Sequence, residues 1–153
     1  MDYLSVCLAP EAIGRISSLG LAHLGDAVYE LLVRTWLCME GRSTSKGLHR
    51  ATVSHVKAPA QAAAARRILS ELTPEEHAVF RRGRNAKVNS VPKNAALEDY
   101  HLATGLEALY GDLYLRGQKE RINELFALGL DRPAAAGTCG SRPSGGGSDE
   151  DAI

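Results

Sequence analysis

Apolar residues recur at helical spacing along almost the whole of the first 130 residues. The strongest example runs from Leu19 to about Cys38, where positions 21, 24, 28, 31, 32 and 36 share one stripe and Gly41 suits a stop just beyond. A second long stretch leads through Tyr100 to Gly117, with 102, 106, 109, 110, 113 and 114 on one stripe. No run shows sustained alternation of apolar and polar residues, so the pattern predicts an all-α fold.

Shorter helices are expected near Ser45 to Val53, from Pro59 to Leu69 and from Lys119 to Leu128. One more helix start is marked by Thr73-Pro-Glu-Glu76, where Thr73 suits the N-cap, proline the first turn and Glu76 the third position of a capping box. This helix is expected to run into the basic segment 81–87.

The chain of 153 residues is long enough for one domain, and its apolar content of 44% is enough for one core. We expect a helical catalytic domain over 1–130 and a disordered tail over 131–153, because the tail is rich in Gly, Ser and Pro and has little to bury. No apolar run is long enough to span a membrane, and no secretory signal is visible at the N-terminus. The expectation is a cytoplasmic protein with no membrane contact.

Several kinds of site are disfavoured by the sequence. The three cysteines are widely spaced and odd in number, and the five histidines show no zinc-ligand spacing. No glycine-rich phosphate loop and no serine nucleophile elbow is present. A disulfide framework, a zinc site, a nucleotide-binding loop and covalent serine catalysis therefore have no support.

Two acids lie within the two most apolar runs, Asp26 in the first and Glu107 in the second. A carboxylate carried into a helix contact without a cation partner loses hydration, so its presence there calls for an explanation. Small neighbours (Ala22 for Asp26, and Ala103 and Gly111 for Glu107) would leave room for a hydrated Mg²⁺ between the two acids. The alternative, that each acid is paired with Arg or Lys or points to solvent, stays open on the residues alone.

Net charge is zero but its distribution is uneven. Residues 42–93 hold eleven Lys and Arg against three acids. Such a segment can bind a polyanion, because phosphate contacts supply most nonspecific nucleic-acid affinity. It can equally be a solvated helical surface, and charge alone does not decide between the two.

Several motifs then carry a family resemblance. His-Leu-Gly-Asp-Ala-Val-Tyr-Glu (23–30) resembles the signature helix of ribonuclease III domains, and Ala-Thr-Gly-Leu-Glu-Ala-Leu-Tyr-Gly (103–111) resembles its second acidic helix. Arg-Gly-Arg-Asn-Ala-Lys (82–87), Pro-Lys-Asn (92–94) and Asp-Tyr (99–100) follow the pattern of the Mini-III ribonucleases, short relatives without a double-stranded-RNA-binding domain. The resemblance extends from about Leu19 to Leu128.

The resemblance implies the helical fold of the ribonuclease III endonuclease domain. It implies a Mg²⁺-dependent endoribonuclease, with Mn²⁺ as a substitute, that cleaves double-stranded RNA as a homodimer and leaves 5′-phosphate and 3′-hydroxyl ends. The implied substrate is the 23S ribosomal RNA precursor, with a large-subunit ribosomal protein as a further candidate partner. By motif position Asp26 and Glu107 would be catalytic metal ligands. Two further acids of full-length ribonuclease III would fall at Ala22 and Thr104, which implies fewer metal ligands here.

A basic segment next to the second acidic helix is expected to contact RNA phosphates and 2′-hydroxyls. Its candidate residues are Arg81, Arg82, Arg84, Asn85, Lys87, Lys93 and Asn94. The alternative is a helix C-terminus whose cations merely complement the helix dipole. Two other classes also remain open: a catalytically silent ribonuclease III-like protein that binds structured RNA, and an unrelated helical interaction module.

Overall fold

The computed structural model describes residues 1–41, 44–87, 90, 93 and 96–131. Within these ranges the chain forms α-helices and one 3-10 turn and contains no strand, which confirms the all-α prediction. The helices are α1 (Pro10–Ile13), α2 (Ser18–Met39), α3 (Ser45–Val56), α4 (Ala58–Ile68), α5 (Pro74–Arg84), α6 (Leu97–Leu115) and α7 (Lys119–Gly129), with the 3-10 turn at Leu69–Glu71.

The predicted helix ends agree with the structure where local signals are strong. The capping box at Thr73 and Glu76 is formed, with both reciprocal hydrogen bonds present. Gly41 adopts a left-handed φ of 77° just beyond α2. The short helix α1 was not predicted, and α6 begins three residues before Tyr100. The predicted tail from residue 132 onward and Cys139 lie outside the described residues.

Helix α6 is the central element, and it packs against α2, α4, α5 and α7. Between Leu102 and Leu113 every residue is buried except Glu107, which is half-buried. A helix that is buried nearly all round belongs in the middle of a fold, with other helices covering its faces. The acid that the sequence singled out therefore lies in the most enclosed helix of the described chain.

Helix α2 packs through a face that differs from the predicted stripe. Its buried residues are Leu21, Ala22, Gly25, Tyr29, Val33 and Leu37. Leu31, which was expected in the buried stripe, is 59% exposed, so that expectation was wrong. The reason is that α6 approaches α2 most closely at Gly25, which centres the contact on the Gly25 face.

None of the helices that the structure describes has the length and apolar content of a membrane-spanning segment. Cys7 and Cys38 are free and exposed.

Candidate active site

The backbones of α2 and α6 touch where they cross. A Cβ atom added at Gly25 would lie 1.6 Å from the carbonyl oxygen of Glu107, and one added at Gly111 would lie 2.1 Å from the carbonyl oxygen of Leu21. Only glycine fits at either position, because any other side chain would have to occupy the space of the facing backbone. This contact brings Asp26 next to Glu107 across the crossing.

The two acids differ in how far they are buried from solvent. Asp26 is exposed at the rim, whereas Glu107 is half-buried beside it. Burial, with the nearby charge of Asp26 as a second cause, raises the pKa of Glu107 to about 7. The pKa of Asp26 is also raised, first by the protein atoms that shield part of its carboxylate from water and then by Glu30, while His23 lowers it. The exposed side of Asp26 faces solvent, so a ligand can reach the pair.

Neither acid has a lysine or arginine partner within the described ranges. Glu30 pairs with Arg34 at 2.6 Å and Asp112 pairs with Arg116 at 2.6 Å, but no Lys or Arg of the described chain forms a salt bridge with Asp26 or Glu107. Two carboxylates that are close together and unpaired repel each other when both are ionised. The pair is therefore suited to a cation that the chain does not supply.

The donor set fits a hard divalent cation. Among the described residues no group of three or more His, Cys, Asp or Glu side chains could hold a metal ion, so the site offers two carboxylates. Mg²⁺ is commonly bound through one or two carboxylates and retains several waters. Ala22 is buried, and the hydroxyl of Thr104 donates to the carbonyl of Tyr100 at 2.9 Å, so neither position supplies a further acidic ligand.

Gln61 is a residue of this site that the sequence did not reveal. It comes from α4, is 1% exposed, and its side-chain amide lowers the pKa of Glu107. Its Nε2 nevertheless makes no hydrogen bond of normal geometry within the described chain, so the contact with Glu107 is a weak one. Only a prediction of how α4 packs on α6 could have found it, because a glutamine among alanines carries no local signal.

The basic residues predicted to contact RNA lie at and beyond the end of α5. Arg81, Arg82, Arg84, Asn85, Lys87 and Lys93 are all exposed. Asn94 lies outside the described residues. Arg84 and Asn85 help to line an open cleft of about 580 Å³ with Leu97, Glu98 and His101.

Helix α5 packs against α6, the helix that carries Glu107. A Cβ atom at Gly83 would lie 2.6 Å from the Cβ of Ala108, so α5 packs tightly on α6 next to the candidate site. Other cations of the basic segment are used within the fold, since Arg66 pairs with Asp99 at 3.0 Å and Arg67 donates to the carbonyl of Gly129 at 2.8 Å. The free positive charge is thus more concentrated at the end of α5 than the sequence count indicates.

Comparison with known proteins agrees with this architecture. Residues 19–118 match the family model of the ribonuclease III domain. A crystal structure of a protein from Fusobacterium nucleatum superimposes with a TM-score of 0.69 at 29% identity, covering 76% of this chain and 93% of that one. The fold and the matched domain are those of a ribonuclease III-type endoribonuclease, a class that acts on double-stranded RNA and depends on a divalent metal ion.

Curated relatives narrow the class further. A Mini-ribonuclease 3 from Thermoanaerobacter is 43% identical over 123 residues, which cover 80% of this chain and 87% of the relative. Another from Symbiobacterium thermophilum is 46% identical over 113 residues, which cover 74% and 87%. The chain belongs to the ribonuclease III family and, within it, to the Mini-ribonuclease 3 proteins.

Proposed function

We propose that Asp26 and Glu107 are the catalytic, metal-binding carboxylates of this endoribonuclease, with Mg²⁺ as the ion and Mn²⁺ as a substitute. The observation that carries the proposal is the pair itself, because both acids have raised pKa values and neither forms a salt bridge with a Lys or Arg of the described chain. A structural acid would be expected to have a partner, as Asp112 has in Arg116.

Asp26 and Glu107 have different places in the proposed metal site. Asp26, which is open to solvent, and Glu107, which is deeper and whose backbone contacts Gly25, would hold the cation. A bound divalent cation polarises the scissile phosphate and activates water for attack. Glu107 must be ionised to bind it, so its proton leaves to solvent first. Hydrolysis breaks the bond between phosphorus and the 3′ oxygen and yields 5′-phosphate and 3′-hydroxyl ends.

The same proposal assigns RNA contact to Arg81, Arg82, Arg84, Asn85, Lys87, Lys93 and Asn94. An A-form duplex is recognised mainly through its phosphates and 2′-hydroxyls, and exposed guanidinium groups suit both. The three arginines support this assignment because none of them forms a salt bridge with another described residue. Their position on α5, which packs on the helix of Glu107, would hold the duplex against the carboxylates.

The substrate and the assembly are proposed from the family resemblance. We take the substrate to be the 23S ribosomal RNA precursor and the active form to be a homodimer in which each subunit cuts one strand, with a large-subunit ribosomal protein as a candidate partner. The catalytic unit would be residues 1–130, without a contribution from 131–153, acting in the cytoplasm.

Substitution of the two acids tests the function. Asp26→Asn and Glu107→Gln preserve shape but remove the charge that attracts the cation, so cleavage of a duplex RNA should fall by orders of magnitude. The melting temperature of the metal-free protein should stay the same or rise, because each change relieves repulsion between the acids. Binding of the duplex should persist.

Asp112→Asn is the matched control. It removes a buried carboxylate from the same helix as Glu107, but one that is paired with Arg116, so the melting temperature should fall while cleavage is retained. Cleavage retained in Asp26→Asn with a lowered melting temperature would contradict the assignment. A wild-type protein that binds duplex RNA but never cleaves it would instead indicate a catalytically silent relative.

A further inference from the structure

Gln61 occupies a position where an apolar side chain would be expected. It lies in the alanine-rich helix α4, between Ala60 and Ala62, on the face that packs against α6. It is almost completely buried, and its amide Nε2 makes no hydrogen bond of normal geometry in the described chain. A buried amide without a full hydrogen bond destabilises the fold relative to an apolar residue of the same size. Its presence therefore calls for a role other than packing.

The neighbour that explains this amide is Glu107. The effect of Gln61 on the carboxyl group of Glu107 is that of a hydrogen-bond donor, which favours the ionised acid. Asp26 approaches the same carboxyl group from α2, so the two neighbours act on Glu107 from different helices. Gln61 is thus placed to donate to this carboxyl group from α4, while Asp26 faces it from α2.

We propose that Gln61 is a positioning residue, whose amide donates to the Glu107 carboxylate when a divalent cation is bound and fixes the orientation in which that carboxylate binds it. The inference rests on the proposed metal-binding role of Asp26 and Glu107. Ligands of metal ions are commonly oriented by hydrogen bonds from groups that do not touch the metal, and loss of such a group weakens binding by about 10–100-fold.

The chemistry of glutamine suits this task better than that of a cation. Arg or Lys at position 61 would neutralise Glu107 and remove the negative charge that attracts the metal. A neutral amide donates a hydrogen bond and leaves that charge in place. An apolar residue would leave the deep carboxylate without a donor on this side.

Gln61→Met tests the proposal, because methionine has a similar length and volume but no amide. Binding of Mn²⁺ alone, measured by electron paramagnetic resonance with Mg²⁺ as competitor, should weaken by about 10–100-fold. The melting temperature of the metal-free protein should stay the same or rise, since a poorly bonded buried amide has been removed. The Mg²⁺ concentration that gives half-maximal cleavage should rise, with most of the maximal rate recovered at saturating Mg²⁺.

Thr52→Val is the control for removing a buried polar group. The Thr52 hydroxyl bonds only within α3, to the carbonyl of Leu48 at 2.8 Å, so metal binding should not change. Gln61→Leu is a second variant, with the same expected loss of affinity, in case Gln61→Met does not fold. Unchanged Mn²⁺ affinity in a folded Gln61 variant would overturn the proposal.

Asp26→Asn measured alongside separates this inference from the function on which it rests. If the wild type binds the metal and Asp26→Asn does not, the proposed carboxylate site is supported. The Gln61 variants then test the positioning role separately. If the wild type and Asp26→Asn bind the metal equally, the proposed site fails and the role of Gln61 fails with it.

Discussion

The four acids that lie in α2 and in the buried part of α6 fall into two groups according to the residue four positions further on. Glu30 is followed by Arg34 and Asp112 by Arg116, and both form salt bridges within one helical turn. Asp26 is followed instead by Glu30, and Glu107 by Gly111. Asp26 and Glu107 were selected from the sequence because they lie in its two most apolar runs, and the absence of an i+4 arginine agrees with that choice. What the sequence could not show is their unequal depth, because that depends on how α4 and α5 cover α6.

The raised pKa of Glu107 predicts a pH dependence for the metal-free protein. Between about pH 4.5 and about pH 7 the unfolded chain has released this proton while the folded chain retains it, so stability should fall as pH rises through that window. The raised pKa of Asp26 acts in the same direction. Thermal unfolding in the presence of a chelator at pH 5 and pH 8 measures this trend, and Glu107→Gln should show a smaller loss than the wild type.

Addition of Mg²⁺ at pH 8 should reverse this loss of stability in the wild type. A cation that binds only the folded state stabilises it, so the wild type should regain melting temperature and Glu107→Gln should not. If the wild type and Glu107→Gln changed equally with pH, the buried carboxyl group would not be the cause.

At the scale of helices, the sequence predicted where helices begin and end better than it predicted which residues of different helices meet. The capping box of α5 and the glycine beyond α2 act within a few residues, so the sequence reveals them. The closest contact between α2 and α6 depends on two glycines 86 positions apart, Gly25 and Gly111, and only the second was noted beside an acid. Gln61 was missed for the same reason, since its partner is on another helix.

Gly25→Ala should disrupt the crossing. The new Cβ atom would meet the carbonyl oxygen of Glu107 at 1.6 Å, so the helices must separate. The loss of stability should reach or exceed the upper end of the ~1–3 kcal/mol that is typical of overpacking. Cleavage should be lost even at temperatures where the variant is folded, because the carboxylates move apart.

Gly129→Ala is the control for this change, since its nearest neighbour, the Cβ of Ala64, would lie at an ordinary 3.4 Å. Its unfolding free energy in a denaturant titration should stay within about 1 kcal/mol of the wild type, in either direction. A Gly25→Ala protein with normal stability and normal cleavage would contradict the close contact.

At the scale of the whole molecule, the outer face of α2 is the notable surface. Leu19 is 42% exposed and Leu31 is 59% exposed on this helix, although its inner face already contacts α6. Single exposed leucines are common on protein surfaces, but Leu31 lies on the side of α2 away from α6 and is available to a partner. The predicted burial of Leu31 was wrong within this chain, and Leu31 would be buried only if a partner covered this side of α2. A second copy, as proposed above, would cover it through a symmetric contact.

Leu31→Glu tests whether this face joins two copies. A charge placed in a symmetric interface faces its own equivalent, so repulsion and desolvation both oppose association, and light scattering should report a monomer where the wild type is a dimer. Leu128→Glu is the control, because Leu128 is 44% exposed on α7, and this variant should remain dimeric. Helicity and melting temperature of the Leu31→Glu monomer should reveal a folded chain, since the inner face of α2 is untouched. A dimer that survives Leu31→Glu but is lost in Leu128→Glu would place the interface on α7 instead.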